Sequence, residues 1–279
     1  MPLSKPSESR MVSPATIPRI ASLQPSITLT LSELNALDTL IAHTKYCLEA
    51  LPELASRNLP ILHDSWTTTT NELTAVAPDL VIASVPYRLE SLAAILKSGI
   101  PVLALAPHNL ADVLHDTRLI ARQVDRTAEA EALIESFQQA LATTQATTAT
   151  LPIPTVYCEE WGKPLIHSQP WIAELIATAG GTFLGNPGAQ TTPEAITDAD
   201  PDILLFAWCG AGDRVPLERV IDQRRWHHLR AVRSGRVHCI PDEYLNTPAI
   251  PSLTQGLACL AAAIHPDHFP THARLISIK

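Results

Sequence analysis

A short pattern occurs once in each half of this chain and constrains its fold more than any other feature. In the first half, Asn71-Glu72-Leu73 is followed by Ala77-Pro78-Asp79-Leu80-Val81-Ile82. In the second, Pro193-Glu194-Ala195-Ile196 is followed by Asp200-Pro201-Asp202-Ile203-Leu204-Leu205. Each copy reads as a glutamate opening a short helix, a Pro-Asp turn, and an apolar run that forms a buried strand. Proline cannot continue a helix, and an unbroken apolar run suits a parallel strand covered on both faces. The glutamate precedes the aspartate of the turn by seven residues in the first copy and by eight in the second. The repeat predicts two similar α/β lobes.

The rest of the chain keeps the same alternation. In the first half, strands are predicted over 20–23, 40–42, 60–62, 79–83 and 102–105, with helices over 27–40, 70–76 and 89–97. Two amphipathic helices follow, over 110–124 and 127–143, the second with Thr127 as its N-cap and Glu129 and Glu131 in its first turn. A second set of strands is predicted over 155–158, 202–206 and 236–240, among helices over 171–179, 216–223 and 252–265. Alternating strands and helices imply mostly parallel sheets flanked by helices. The expected organisation is a polar tail over 1–16, an N-terminal lobe over 17–108, a helical segment with one long rigid linker helix over 109–150, and a C-terminal lobe over 151–279.

Composition narrows the function classes. The 279 residues are 46% hydrophobic, enough for two cores, and the net charge is −8 with no basic stripe, which argues against nucleic acid as a partner. The five cysteines (Cys47, Cys158, Cys209, Cys239, Cys259) are odd in number and lack CxxC spacing, so neither a disulfide framework nor a zinc site is expected. Residues 1–16, MPLSKPSESRMVSPAT, lack the apolar stretch of an export signal, and no apolar run reaches the ~20 residues that span a bilayer. There is no GxSxG elbow, P-loop or GxGxxG, and no local signature around Cys158 or Cys209, so no enzyme and no catalytic residue is expected. Gly210-Ala211-Gly212 reads as a tight turn. The eleven histidines contain no HExxH. A metal site would have to assemble from His63, Asp64, His108, His167 and Glu243, and none is expected.

The candidate binding residues are aromatic. Trp66, Tyr87, Trp161, Trp208 and Tyr244 fall in predicted loops beside strand ends, where open α/β sheets bind ligands. Trp226, inside Arg-Arg-Trp-His-His-Leu, reads as structural. Glu159 and Glu160 follow a strand, and alternation puts them on opposite sides. Glu160 is the candidate to face the ligand, and Glu243 is similarly placed after the last strand. A cleft between two lobes is where a ligand would sit.

Four segments carry a resemblance. IASLQPSITLTLSELNALDTLIAHTKYC, TTNELTAVAPDLVIA, VYCEEWGKPLIHSQPWIAELIATAGG and RRWHHLRAVRSGRVHCIPDEY resemble solute-binding proteins of ABC importers whose lobes are joined by one rigid helix. Among these, the likeness is to cobalamin-binding proteins, over about residues 17–266. It implies a monomer with no intrinsic cofactor that holds cobalamin or a related corrinoid between Trp and Tyr faces. It also implies docking through Glu72 and Glu194 onto arginines of a membrane permease and ATPase complex, and a periplasmic location. Related proteins of this fold carry ferric siderophores, haem or metals. Siderophore sites add Arg or Lys, in which the cleft region looks poor. The absence of a readable export signal keeps open a cytosolic enzyme or ligand sensor on the same scaffold.

Overall fold

The structure, a computed structural model, describes residues 17–278. The stretch over 1–16, expected to be a loose tail without an export signal, lies outside the described residues. The first lobe contains β1 (Ile20–Ser22), α1 (Pro25–Glu33), β2 (Leu40–Thr44), α2 (Lys45–Ala50), β3 (Ile61–Leu62), α3 (Thr70–Val76), β4 (Leu80–Ala83), α4 (Leu89–Lys97) and β5 (Val102–Ala104). Its five strands form an all-parallel sheet in the order β3-β2-β1-β4-β5. Helix α1 is shorter than its periodicity predicts. Asn35 takes the left-handed conformation (φ 52°), and the Ala36 amide closes back on the Leu31 carbonyl at 2.8 Å, a C-terminal cap that ends the helix. A 3-10 turn over Leu37–Thr39 then leads into β2.

Two helices follow, α5 (Leu110–Gln123) and α6 (Thr127–Thr148). The second lobe contains β6 (Thr155–Gly162), β7 (Leu165–His167), α7 (Pro170–Thr178), β8 (Thr182–Phe183), β9 (Gln190–Thr191), α8 (Pro193–Ala199), β10 (Ile203–Phe206), α9 (Leu217–Arg224), α10 (Arg230–Arg233), β11 (Val237–Cys239), α11 (Asp242–Leu245), α12 (Ile250–Ile264) and β12 (Ile276–Ser277). Its sheet runs β12-β11-β10-β6-β7-β9, with β8 paired to β6. Strands β8, β6, β10 and β11 are parallel, while β7, β9 and β12 join antiparallel. Among the described residues no helix is long and apolar enough to cross a membrane.

The central strands are buried on both faces, and their side chains alternate between two apolar layers. Leu80 and Ile82 of β4 pack under α1 and α5, while Val81 and Ala83 pack on the opposite layer with Leu73 and Ile95. In the second lobe Ile203 and Leu205 of β10 join the layer of α7 and α12. Leu204 and Phe206 join that of α9 and Trp226.

The repeat seen in sequence has a shared geometry. Thr69 and Thr192 cap α3 and α8 with their hydroxyls, and Ala77 (φ 47°) and Asp200 (φ 40°) end them in the left-handed conformation. The aspartate after each proline then reaches the neighbouring parallel strand. Asp79 accepts the Arg19 amide at 2.9 Å and Asp202 the Thr155 amide at 2.8 Å. The unequal Glu–Asp spacing lies in the helix, not the turn. Glu72 is the third residue of α3 and closes a capping box with Thr69, whereas Glu194 is the second residue of α8, the place taken by Asn71 in the first lobe.

Helix α6, 22 residues and about 33 Å long, is the expected linker. Helix α5 runs beside it and also belongs to both lobes. Leu110 and Val113 of α5, with Ile134 and Phe137 of α6, sit in the second-lobe core. Ile120, Ala121 and Val124, with Ala130, sit in the first-lobe core. Glu174 of α7 accepts the Leu110 amide at 2.9 Å, tying the start of α5 to the second lobe.

Where the lobes meet, Ser26, Thr30, Ser84, Asp116 and Pro248 surround a small internal gap. Burial, and then the charge of Asp112, push the Asp116 carboxyl up to about 7. A carboxyl whose pKa rises on folding takes up a proton as the chain folds. Its contribution is therefore most favourable in acid and is lost as pH rises through about 7. Asp116→Asn should stabilise the protein by ~1–2 kcal/mol at pH 8, allowing for partial solvent screening, and by much less at pH 4. Thermal melts by circular dichroism at the two pH values check this; equal shifts at both would refute it.

Candidate functional site

The site starts from β6. Alternation along this strand places Tyr157 and Glu159 on the face that looks towards α9. Glu159 has no solvent exposure. A carboxylate there must gather its own donors, and four fill it. Arg224, from the end of α9, donates through both terminal nitrogens at 2.7 and 2.8 Å. The Trp208 indole N–H donates to Oε1 at 2.7 Å, and the Tyr157 hydroxyl to Oε2. The Arg224 guanidinium also lies against the rings of Trp226 (4.8 Å), Phe206 (5.8 Å) and Trp208 (6.0 Å). Burial first, and then the neighbouring Glu159 charge, push the Tyr157 phenol far above its ordinary range, so it stays a donor.

Above this network lies a cavity of about 780 Å³, walled by Trp161, Trp208, Leu165 and Val220. Its wall comes from the β6–β7 hairpin, the turn after β10 and one face of α9. Arg219 and Gln223 lie four residues apart on that face, as do Val220 and Arg224. The Trp161 indole donates to the Lys163 carbonyl at 2.8 Å, which fixes the hairpin tip. Gly162 lies against Trp208: a Cβ added there would stand 2.6 Å from indole Cζ2. The positive groups are Lys163, Arg219 and Arg224. Arg224 is neutralised by Glu159, while Lys163 and Arg219 have no carboxylate partner among the described residues. The cavity wall therefore carries the basic side chains in which the sequence looked poor.

Of the residues singled out from sequence, Trp161 and Trp208 line this cavity together. Glu160 does not line it; half-buried, it accepts from Gln169 at 2.6 Å and faces Cys209, which does. Burial holds the Glu160 carboxyl above the usual carboxylate value, and burial together with the charges of Glu160 and Asp242 raises the Cys209 thiol. Trp66 and Tyr87 belong to the first lobe, beyond the ends of β3 and β4, and do not line the cavity. Trp66 is 44% exposed beneath Arg88, and the Tyr87 hydroxyl donates to the Leu105 carbonyl at 3.0 Å. Glu243 and Tyr244 lie on α11 and are engaged by the C-terminal segment. Arg274 donates to Glu243 at 2.9 Å and covers the Tyr244 ring, which also meets His272 edge-on. Trp226 is fully buried in the second lobe.

Glu72 and Glu194 differ. The Glu72 oxygens accept from Thr69 and His63; burial raises its carboxyl, but these bonds outweigh it and hold the pKa below the usual value. Glu194 is exposed. Among the described residues no cluster of three or more His, Cys, Asp or Glu is arranged to hold a metal ion. His63 pairs with Glu72, and His167 is buried against the rings of Tyr157 and Phe183. Sequence reasoning set Glu159 aside in favour of Glu160 and missed Arg224, Lys163 and Arg219. The available signal was the pairing of Tyr157 with Glu159 on one strand face, which demands a buried cation from elsewhere.

A family model described as periplasmic binding protein matches residues 20–244. No curated protein matches the sequence. Among solved structures, a periplasmic heme binding protein from Pseudomonas aeruginosa superposes with a TM-score of 0.82 at 20% identity, over 94% of this chain and 98% of that one. The periplasmic vitamin B12 binding protein BtuF of Vibrio cholerae gives 0.72 at 19% identity, over 89% and 97%. The petrobactin-binding protein YclQ of Bacillus subtilis gives 0.73 at 18%, over 89% and 92%. At these identities the likeness establishes the two-lobed fold.

Removing Arg224 would leave the Glu159 carboxylate buried without its cation. Arg224→Ala should cost about 3–5 kcal/mol, and Tyr157→Phe, which removes one of the four donors, about 1 kcal/mol. Urea denaturation compares them. A loss below about 1 kcal/mol for Arg224→Ala would mean that the carboxylate does not depend on the guanidinium.

Proposed function

The chain belongs to the periplasmic binding protein family, and on that premise we propose that it is the solute-binding component of an ABC importer, taking a large flat macrocycle that carries acidic groups, of the haem kind. The observation that carries this reading is the pairing of two tryptophan faces with two unneutralised cations, Lys163 and Arg219, around one cavity. Indole faces give broad rigid contact at low entropic cost. The cations supply charge-assisted bonds to carboxylates at the ligand's edge. Trp66 and Tyr87, at the same ends of the first-lobe strands, would cover the opposite side. A solute carrier of this kind performs no reaction and acts outside the cytoplasm.

Cobalamin, the cargo implied by the sequence resemblance, is the second reading. What favours it is the neutral Gln223 in the cavity wall, with the Glu160–Gln169 pair behind Cys209, groups suited to amide side chains. Titrating the protein with haemin and with cyanocobalamin, followed by visible absorbance, separates the two. Haemin should bind, and Arg219→Glu should weaken it roughly tenfold or more, about 1.4 kcal/mol, while leaving any cobalamin binding unchanged. No response to either ligand at about 50 μM, well above the Kd expected of about −8 kcal/mol binding, would sink the macrocycle reading.

For the membrane partner, a permease and ATPase complex, Glu194 is the better placed of the two proposed docking carboxylates, because Glu72 is occupied in its cap. Glu194→Ala should weaken stimulation of the transporter's ATPase without changing ligand affinity. An unchanged ATPase response would remove Glu194 from the docking surface.

A further inference from the structure

The buried carboxylate of Glu159 does not line the cavity, yet two of its partners, Trp208 and Arg224, do. Its Oε1 takes the indole N–H of Trp208 at 2.7 Å. Its bidentate partner Arg224 is only 10% exposed, lies 6.0 Å from the centre of the Trp208 ring and forms part of the wall. Gly162 closes against the indole's benzene edge, with no room for a methyl group. Phe206 meets the same indole edge-on at 6.3 Å. The ring is therefore held by its N–H and its edges while part of it remains open to the cavity. Tryptophan has two rotatable side-chain bonds, and a ligand meeting a loose indole would have to order it; here that ordering is complete before the ligand arrives.

We infer that Glu159 is a positioning residue: through its bonds to Trp208 and Arg224 it fixes the indole as a rigid wall, and ligand affinity depends on it without contact. This rests on the reading of the cavity as the ligand site, but it has a consequence in the empty protein. The Trp208 indole N–H should exchange with solvent at least tenfold more slowly than that of the exposed Trp66, as a bonded N–H beside a buried carboxylate does.

The test uses the full chain labelled with ¹⁵N, with the Trp208 signal assigned by its loss in Trp208→Phe. Glu159→Leu combined with Arg224→Met and Tyr157→Phe replaces both charges, and the buried hydroxyl that would lose its acceptor, by apolar groups, so that folding is retained. It should keep the melting temperature within a few degrees, release the Trp208 N–H to fast exchange and raise the Kd for haemin or cyanocobalamin roughly tenfold. Gly162→Ala leaves the charged pair intact but displaces the indole, and it should raise the Kd by a similar factor. If Trp208 exchanges as fast as Trp66 in the wild type, the inference is overturned. If the combined variant loses affinity while Gly162→Ala does not, Arg224 acts on the ligand directly and the positioning role is likewise overturned. Should the wild type take up neither haemin nor cyanocobalamin, the cavity reading fails, and the exchange rates alone still decide whether Glu159 holds the indole.

Discussion

A strand covered on both faces leaves no water for its neighbours, and this constraint shapes both lobes. Strands β4 and β10 are apolar on both sides, so any polar group beside them must bring a partner from the protein. Nearer the surface, Asp79 and Asp202 each bind the amide of the adjacent strand at the start of β4 and β10. Glu159 meets the same demand in the middle of a sheet face, where four donors converge on one carboxylate. Replacing water with protein donors fixes those donors in place, and one of them is the indole that walls the cavity.

The cavity inherits its character from that arrangement. The cation at the end of α9 is spent inside the protein on Glu159, and of the rings against it Trp208 reaches the cavity wall while Phe206 and Trp226 lie buried behind. Five residues earlier on α9, Arg219 faces the same space with its charge uncompensated, as does Lys163 at the hairpin tip. Apolar surface therefore comes from Trp208, anchored in the dry layer, and from the exposed hairpin Trp161, while charge comes from long side chains at the margin. Such an arrangement suits a ligand that is apolar across its plane and ionised at its edge.

Local signals in the sequence were sufficient for the alternation of strands and helices, the Pro-Asp turns and the loop tryptophans, because each is written within a few neighbouring residues. Trp161 and Trp208 were legible as ligand candidates for that reason. The end of α1 was not: the leucine periodicity continues past Asn35, and only its left-handed backbone stops the helix. The short β7, β8, β9 and β12 carry too few residues for a period to emerge; β7 and β8 form against β6, β9 against β7, and β12 against β11. The Glu159–Arg224 bond joins residues 65 positions apart, so nothing local marks it. Glu243 and Tyr244 look like binding residues from their place after a strand, yet the C-terminal segment folds back and engages them.

The path of α5 and α6 bears on how the chain acquires its structure as it is made. Leaving β5, the chain enters the second lobe's core at Leu110, returns to the first at Ile120, and crosses again along α6. Neither lobe is thus a closed stretch of sequence. The first core is complete once Ala130 has been synthesised, but Leu110 and Val113 wait for α7 and then for α12, the last helix made. During that interval the nascent first lobe carries an uncovered apolar turn at its margin, a sticky end that only its own C-terminal half fits.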